Sequence, residues 1–225
     1  MRRSDSWFDF QMIKIDKSDW IPSLYANVAI LGDVLTEPNE QLPNLSKEQL
    51  NKIRNTQAHA GDVVRVLGHH QQFSLVMKID GAKGWMHKSW IRENLSLSDF
   101  VRPSGGMKSS TEFLSEFTGV PYLWGGLSKS GIDCSGLAQL YFLEVHDKII
   151  PRNSREQRKF ASERPFEDVR DNDLVYGVGK VGGSHHVGIY LDGHIWHAYS
   201  DEGVVRHSTE RFLNLFNIEA VNTLL

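Results

Sequence analysis

The chain has a single cysteine, Cys134, and its neighbours suit a nucleophile. It stands between Asp133 and Ser135, and apolar residues at 137, 140 and 141 predict a helix that begins here. Amides at a helix start carry partial positive charge, which lowers the pKa of a nearby thiol and favours the thiolate. The same amides can hold an oxyanion during acyl transfer. We therefore expect a reactive Cys134, although a lone cysteine is more often a small buried side chain.

Two histidines in the second half of the chain could supply the base that a cysteine nucleophile needs. His186 opens an apolar run, and Asp-Gly at 192–193 is a strong signal for a hairpin turn after it. Alternation along the strand points His185 to the opposite face, and the returning strand brings His197 towards His186. We predict that His186 is the general base and that His197 orients it, as the third member of a triad.

The histidines do not predict a metal site or any other cofactor. His185 and His186 are adjacent and therefore point apart, and no His-Glu-x-x-His spacing occurs. Net charge is −3 and the pI is about 6.4, so no basic surface predicts nucleic acid as a partner. No apolar run approaches the roughly 20 residues that cross a bilayer. Oligomeric state is left open.

The first ten residues contain two arginines but no apolar core and no small-residue cleavage site. They do not read as a secretory signal. This favours the cytoplasm, with export as the alternative if a signal was removed.

The elements that must position these residues follow from the apolar pattern. The first half predicts short antiparallel strands at 28–35, 63–67 and 73–79. Ser46 is placed to cap an inserted helix that runs to residue 54. Pro, Gly and Ser in residues 94–109 indicate a linker.

The second half predicts helices first and antiparallel strands after them, which is the α+β class. One helix covers residues 111–118 and another begins at Cys134. The predicted strands are 174–176, 187–191, 195–199, 204–206 and 218–221.

Four segments together carry a family resemblance: Tyr122-x-Trp-Gly-Gly126, Asp133-Cys-Ser-Gly-Leu137, His186-Val-Gly-Ile-Tyr190 and His197-Ala198. They resemble the signature of the NlpC-type family of papain-like cysteine peptidases, which cleave peptide bonds in bacterial peptidoglycan. The resemblance implies a papain-like catalytic domain over residues 99–225. Cys134 is then the nucleophile, His186 the base and His197 the orienting residue.

The same resemblance implies several substrate-binding residues. Asp133 and Ser135 match positions that hold substrate, and Tyr122 matches a tyrosine near the oxyanion. Ser154, within Arg152-x-Ser-x-x-Gln157, matches a serine that lines the pocket.

A Gly-Asp-Leu-Val strand of the family matches 172–175 with two departures. Asn172 replaces the glycine, and Gly177 interrupts the usual aromatic pair. We expect these departures to affect the strand edge and not the triad.

Residues 1–98 resemble a bacterial SH3-like barrel, through Gly61-Asp-Val-Val-Arg-Val-Leu67 and Gly84-Trp-Met-His87. Relatives with this layout use the barrel to close one end of the cleft, which restricts them to short peptides with a free amino terminus. Those with the insert between the early strands carry acidic and tyrosine side chains that bind this amine. The corresponding positions here hold Asn55 and Ala82. This favours an endopeptidase that accepts larger fragments.

The resemblance implies hydrolysis of peptidoglycan stem peptides, at the γ-D-glutamyl–diamino-acid bond, by a murein endopeptidase or dipeptidyl-peptidase. One alternative is an amidase or acyltransferase on a related Cys-His scaffold, which the lack of a long apolar pocket-lining segment disfavours. Another is a non-catalytic cell-wall-binding protein, which the intact Cys134, His186 and His197 disfavour.

Overall fold

The computed structural model of the chain describes residues 24–95, 108–160 and 162–224. The chain divides into two units, Met1–Ser104 and Gly105–Leu225. The prediction about the first ten residues lies outside the described residues, and so does most of the predicted linker at 94–109.

The described part of the first unit is an antiparallel sheet of seven strands with one short helix. The strands are β1 (Leu24–Val28), β2 (Gly32–Leu35), β3 (Arg54–Ala58), β4 (Val63–His70), β5 (Phe73–Met77), β6 (Lys83–His87) and β7 (Ile91–Leu95). They are arranged in the order β3-β2-β6-β5-β4-β1-β7. Small apolar residues such as Val34, Val64 and Val76 fill the core. Assignment of this unit as an SH3-like barrel stays a prediction.

Two local predictions in the first unit have clear outcomes. Ser46 caps helix α1 (Lys47–Ile53), as predicted, and its side chain and that of Gln49 form a reciprocal capping box. The strand predicted at 28–35 is wrong, because the chain leaves β1 after Val28 and re-enters the sheet at Gly32. The intervening residues are partly exposed, so their apolar side chains do not mark a strand.

The second unit packs helices on a six-stranded antiparallel sheet, which confirms the α+β fold class. Its helices are α2 (Ser110–Phe117), α3 (Cys134–His146), α4 (Ser154–Lys159) and α5 (Thr209–Leu215). Its strands are β8 (Leu127–Ser128), β9 (Gly131–Ile132), β10 (Ser162–Arg164), β11 (Leu174–Gly179), β12 (His185–Leu191), β13 (His194–Tyr199), β14 (Gly203–Ser208) and β15 (Phe216–Thr223). The large sheet has the order β10-β15-β11-β12-β13-β14, and β8 pairs with β9.

Helix α3 is the central element of this unit. Ten of its thirteen residues are buried, and it packs against α2 on one side and against β12 and β13 on another. Because the helix is apolar nearly all round, its position is fixed by the core and not by a single amphipathic face.

The hairpin between β12 and β13 forms where Asp-Gly predicted it. Asp192 has φ +51° and Gly193 has φ +73°, the left-handed pair that a two-residue turn requires. The strands predicted in this half are confirmed, whereas α4 and α5 were not predicted. No helix in the described ranges is long and apolar enough to cross a membrane.

Candidate active site

Cys134 is the first residue of α3 and is almost fully buried. Backbone N–H groups of Val187 and Ser135 donate to its sulfur. Val187 follows His186 in β12, so the sulfur lies against the strand that carries the predicted base. The N–H of Cys134 itself belongs to the first helical turn, which has no intrahelical acceptor.

Asp133 fixes the start of this helix. Its Oδ1 accepts from the Gly136 N–H at 2.7 Å and its Oδ2 from the Gly125 N–H at 2.8 Å. Arg152 donates to both carboxylate oxygens, at 2.9 and 2.7 Å, in a buried bidentate pair. A charge pair of this geometry locks the loop before α3 to the segment before α4.

The motif around Arg152 completes this buried cluster. Arg152 also donates to Ser135 Oγ at 2.9 Å and to Gly126 O at 3.1 Å. Gln157 donates to Ser135 O and to Pro151 O. The polar atoms of Asp133 and Ser135 are therefore engaged inside the protein, and their predicted contact with substrate stays a prediction.

Three buried histidines on adjacent strands form what we call the histidine relay: His186, His197 and His207. His186 Nε2 lies 2.8 Å from His197 Nδ1. His197 Nε2 lies 3.0 Å from His207 Nδ1. The predicted approach of His197 to His186 is thus present, and His207 extends it by one ring that the sequence analysis did not include.

Gly177 departs from the family pattern directly opposite His186 in the β11–β12 pair. A Cβ at this position would lie 2.9 Å from Asn217 O and 3.1 Å from Phe216 Cβ. The Phe216 ring stacks on the His186 imidazole, with centroids 4.4 Å apart and planes 11° apart. The expectation that the departures affect only the strand edge is wrong, because Gly177 makes room for the Phe216 ring that stacks on His186.

Asn172, the other departure, has φ +74°. Asparagine tolerates this left-handed conformation better than most residues, so it can replace glycine here. Its side chain also accepts hydrogen bonds from Tyr141 and Ser110.

Cys134 and His186 are both neutral near pH 7. Desolvation raises the pKa of the Cys134 thiol to about 12 and lowers the pKa of His186 to about 3. Burial likewise lowers the pKa of His197. The expectation of a lowered cysteine pKa is wrong in direction, because desolvation outweighs the amides that donate to the sulfur.

A cavity of about 310 Å³ lies beside His186. Its lining includes His186, the predicted pocket residue Ser154, and the basic side chains Arg155 and Lys159. Glu163 and Glu219 also line it, and both pair with Arg158. Tyr176 also lines it, and the buried Tyr176 hydroxyl has no hydrogen-bond partner within the described residues. The cavity thus offers cationic groups and an unused hydroxyl to a ligand that reaches His186.

Tyr122 is half-buried near Cys134. Burial raises the pKa of its phenol, and the negative forms of Cys134 and Asp133 add to the rise. Its hydroxyl therefore keeps its proton at neutral pH and can donate a hydrogen bond.

Sequence reasoning missed His207, Tyr176 and Phe216. Tyr176 directly follows the matched 172–175 segment, and its aromatic type is the only signal. His207 and Phe216 carry no local signal, because strand pairing alone brings them to His197 and His186. Among the described residues no group of three or more His, Cys, Asp and Glu side chains is arranged to hold a metal ion.

A model of the NlpC/P60 family matches residues 119–214. The probable endopeptidase NlpC of Escherichia coli (strain K12) is 30% identical over 131 residues, which are 56% of this chain and 82% of that protein. A γ-D-glutamyl-L-lysine dipeptidyl-peptidase of Bacillus subtilis (strain 168) is 42% identical over 80 residues, 34% of this chain and 26% of that protein.

Coverage differs among these relatives. A probable endopeptidase of Haemophilus influenzae (strain ATCC 51907 / DSM 11121 / KW20 / Rd) is 36% identical over 95 residues, 41% of this chain and 59% of that protein. The chain therefore spans less than two thirds of two of these three curated relatives. The solved structure of NlpC2 from Trichomonas vaginalis matches with a TM-score of 0.52 and 14% identity, over 90% of this chain and 98% of that one, which shows the shared fold.

Proposed function

The chain belongs to the NlpC/P60 family, and we propose that it is a cysteine peptidase that hydrolyses the stem peptides of peptidoglycan. The observation that carries the proposal is the position of Cys134, at a helix start against the strand of His186. We assign Cys134 as nucleophile, His186 as general base and His197 as the residue that orients it.

The reaction follows from the neutral state of the pair. Cys134 sulfur attacks the γ-carbonyl carbon of D-glutamate while its proton moves to His186. The relay occupies His186 Nε2, so Nδ1 is the nitrogen that receives the proton. His186 then protonates the departing amine of the diamino acid, leaving a thioester on Cys134. Water hydrolyses the thioester, with His186 again accepting a proton.

Two donors can stabilise the oxyanion of each tetrahedral intermediate. One is the backbone N–H of Cys134 in the first turn of α3. The other is the Tyr122 hydroxyl, which stays protonated at neutral pH. These donors act on the carbonyl oxygen and not on the leaving group.

The charge of the cavity supports an acidic peptide. Arg155 and Lys159 are exposed, and neither forms an ion pair within the described part of the chain. The carboxylates of D-glutamate and of diaminopimelate, on either side of the proposed scissile bond, are suitable partners for these cations. Relatives named as a γ-D-glutamyl-L-lysine dipeptidyl-peptidase and a probable endopeptidase support this bond and class.

We further propose that a free amino terminus is not required and that the first unit is an SH3-like barrel. The Asn55 side chain donates to Lys83 O at 2.8 Å and so is engaged within the first unit. Ala82 has no group that binds an amine. These two residues favour an endopeptidase over a dipeptidyl-peptidase.

The test is incubation of the full chain with L-Ala-γ-D-Glu-diaminopimelate peptides, with products identified by mass spectrometry. We expect L-Ala-D-Glu to be released by the wild type and not by Cys134→Ala. Equal products from both proteins, or none from either, contradict the peptidase proposal. N-acetylated peptide should be cleaved at a similar rate, and its resistance would instead indicate a dipeptidyl-peptidase.

A further inference from the structure

The histidine relay ends at two oppositely charged side chains. Arg211, in α5, donates from Nε to His207 Nε2 over 2.9 Å. Glu202 Oε2 lies 3.5 Å from the same nitrogen. Glu202 and Arg211 also pair with each other, with 2.7 Å between Oε1 and Nη2. From β13, the Tyr199 ring also faces His207.

One nitrogen of His207 thus has both a cationic donor and an anionic acceptor within reach. Burial lowers the pKa of each relay histidine, so near pH 7 each ring is neutral and carries one N–H. Because a neutral ring carries a single N–H, His207 Nε2 either accepts a hydrogen bond from Arg211 or donates one to Glu202, but it cannot do both.

The Arg211 contact imposes one pattern of protons on the whole relay. Because Arg211 donates to Nε2, His207 carries its proton on Nδ1 and donates to His197 Nε2. His197 then donates from Nδ1 to His186 Nε2. The proton of His186 then lies on Nδ1, which is the nitrogen proposed to accept the proton of the Cys134 thiol. In this state His186 cannot accept the thiol proton.

The Glu202 contact imposes the reverse pattern. When His207 donates from Nε2 to Glu202, its Nδ1 accepts from His197. His197 Nδ1 in turn accepts from His186 Nε2. His186 Nδ1 is then a lone pair, which is what a general base requires.

We infer that His207 is a positioning residue for His186, and that Arg211 and Glu202 drive the relay in opposite directions. Arg211 holds the form in which His186 cannot accept a proton, and Glu202 holds the form in which it can. The inference rests on the proposed function for the role of His186, whereas the proton pattern is a property of the free chain. The shorter contact makes the Arg211 form the resting one, and movement of two exposed side chains exchanges the forms.

An ordinary surface ion pair gives a different expectation. The side chains of Arg211 and Glu202 are 56% and 38% exposed, so their mutual attraction contributes little to stability. If the pair were only structural, removing either member would have the same small effect. Opposite effects of the two substitutions on kcat require that the histidine relay transmits them to His186.

The matched variants are Arg211→Met and Glu202→Met, each of which keeps the aliphatic stem and removes the polar end. With the stem peptide as substrate, we expect kcat of Glu202→Met to fall about tenfold, because a charge-assisted hydrogen bond that favours the competent form is lost. We expect kcat of Arg211→Met to exceed that of the wild type, because the substitution releases the resting form in which His186 cannot accept a proton, with KM unchanged in both variants. Any other ordering of kcat overturns the inference.

Substitutions of His207 separate positioning from folding. His207→Asn keeps a hydrogen-bonding group near the Nδ1 position but loses Nε2, so adding Glu202→Met to it should change kcat less than twofold. His207→Leu removes the hydrogen-bonding group altogether, and its kcat should fall about tenfold. The thermal midpoint of unfolding of His207→Asn should stay close to that of the wild type. If Glu202→Met lowers kcat equally in the His207→Asn background, the relay does not carry the effect.

A measurement without substrate keeps this inference distinct from the peptidase proposal. Nitrogen-15 NMR of labelled histidines reports which ring nitrogen of His186 carries the proton. We expect Nδ1 in Glu202→Met and Nε2 in Arg211→Met, even if no peptide is cleaved. The same His186 tautomer in both variants overturns the inference whatever the enzyme hydrolyses.

Discussion

Arg152→Met tests how the helix start that carries Cys134 is held in place. The substitution removes at least four hydrogen bonds, among them two to the Asp133 carboxylate, one to Ser135 Oγ and one to Gly126 O. Asp133 keeps the N–H groups of Gly125 and Gly136 but loses its counter-ion in a site that is 6% exposed. The buried charge is then uncompensated.

Removing one partner of a buried ion pair costs about 3–5 kcal/mol of the free energy of unfolding. Arg152→Lys should lose less, about 1–3 kcal/mol, because it keeps the charge but not the bidentate geometry. We expect Arg152→Met to lower kcat as well, since the loop that sets the direction of Cys134 is released.

The assay is urea unfolding followed by far-UV circular dichroism, with Arg155→Met as the control. Arg155 is an exposed arginine on the neighbouring helix, and its loss should change the free energy of unfolding by less than about 0.5 kcal/mol. If Arg152→Met and Arg155→Met are equally stable, the buried pair does not hold the helix start. Raising the salt concentration should not weaken the Arg152 effect, because buried pairs are poorly screened.

Three further predictions concern Cys134, the buried histidines and Gly177. Alkylation of Cys134 by iodoacetamide should accelerate about tenfold per pH unit between pH 7 and 9, because the raised pKa keeps the thiolate scarce. The free energy of unfolding should fall as pH drops from about 6.5 towards 3, by up to about 1.4 kcal/mol per unit for each of His186 and His197. Their lowered pKa means that the unfolded chain binds protons in this window and the folded chain does not. Gly177→Ala should displace Phe216, lowering kcat and costing about 1–3 kcal/mol.

Each of these has a control or a contrary outcome. If the rate of alkylation no longer rises above pH 5, Cys134 is already a thiolate at that pH, which contradicts the raised pKa. The variant that carries glutamine at both His186 and His197 should have a shallower pH slope, and His207 and His146, whose pKa values burial also lowers, account for the part that remains. An unchanged slope would assign it to other groups. Gly68→Ala, where a Cβ meets no atom within 4 Å, is the control for Gly177→Ala. Equal effects of the two substitutions would refute the steric argument.

Local sequence signals found the two halves of the site because each is encoded over a few residues. Apolar residues at 137, 140 and 141 predict the helix that begins at Cys134, and in the structure Asp133 caps it through a hydrogen bond from the Gly136 N–H. The Asp-Gly turn at 192–193 fixes which residues of β12 and β13 meet, and so brings His197 to His186. Both signals are short-range, and both elements formed as expected.

Other parts of the site depend on information that a local pattern does not contain. His207 reaches His197 only because β14 pairs with β13 in one particular register. Helix α5, which carries Arg211, is seven residues long between two strands, too short for a clear helical period. The direction of the Cys134 pKa depends on burial by distant segments, which outweighs the helix start that the sequence reveals.

Cys134 belongs to the helical layer of the second unit, and the relay belongs to the sheet. The separation between sulfur and imidazole is therefore the spacing between two layers, which the volumes of core side chains such as Leu137 and Val187 determine. A methyl group gained or lost in that core changes the attack distance without touching any reactive atom. The reaction rate can thus change in evolution through core residues that take no part in the chemistry. Differences in rate between homologues are therefore expected to depend on these core residues as well as on the histidines.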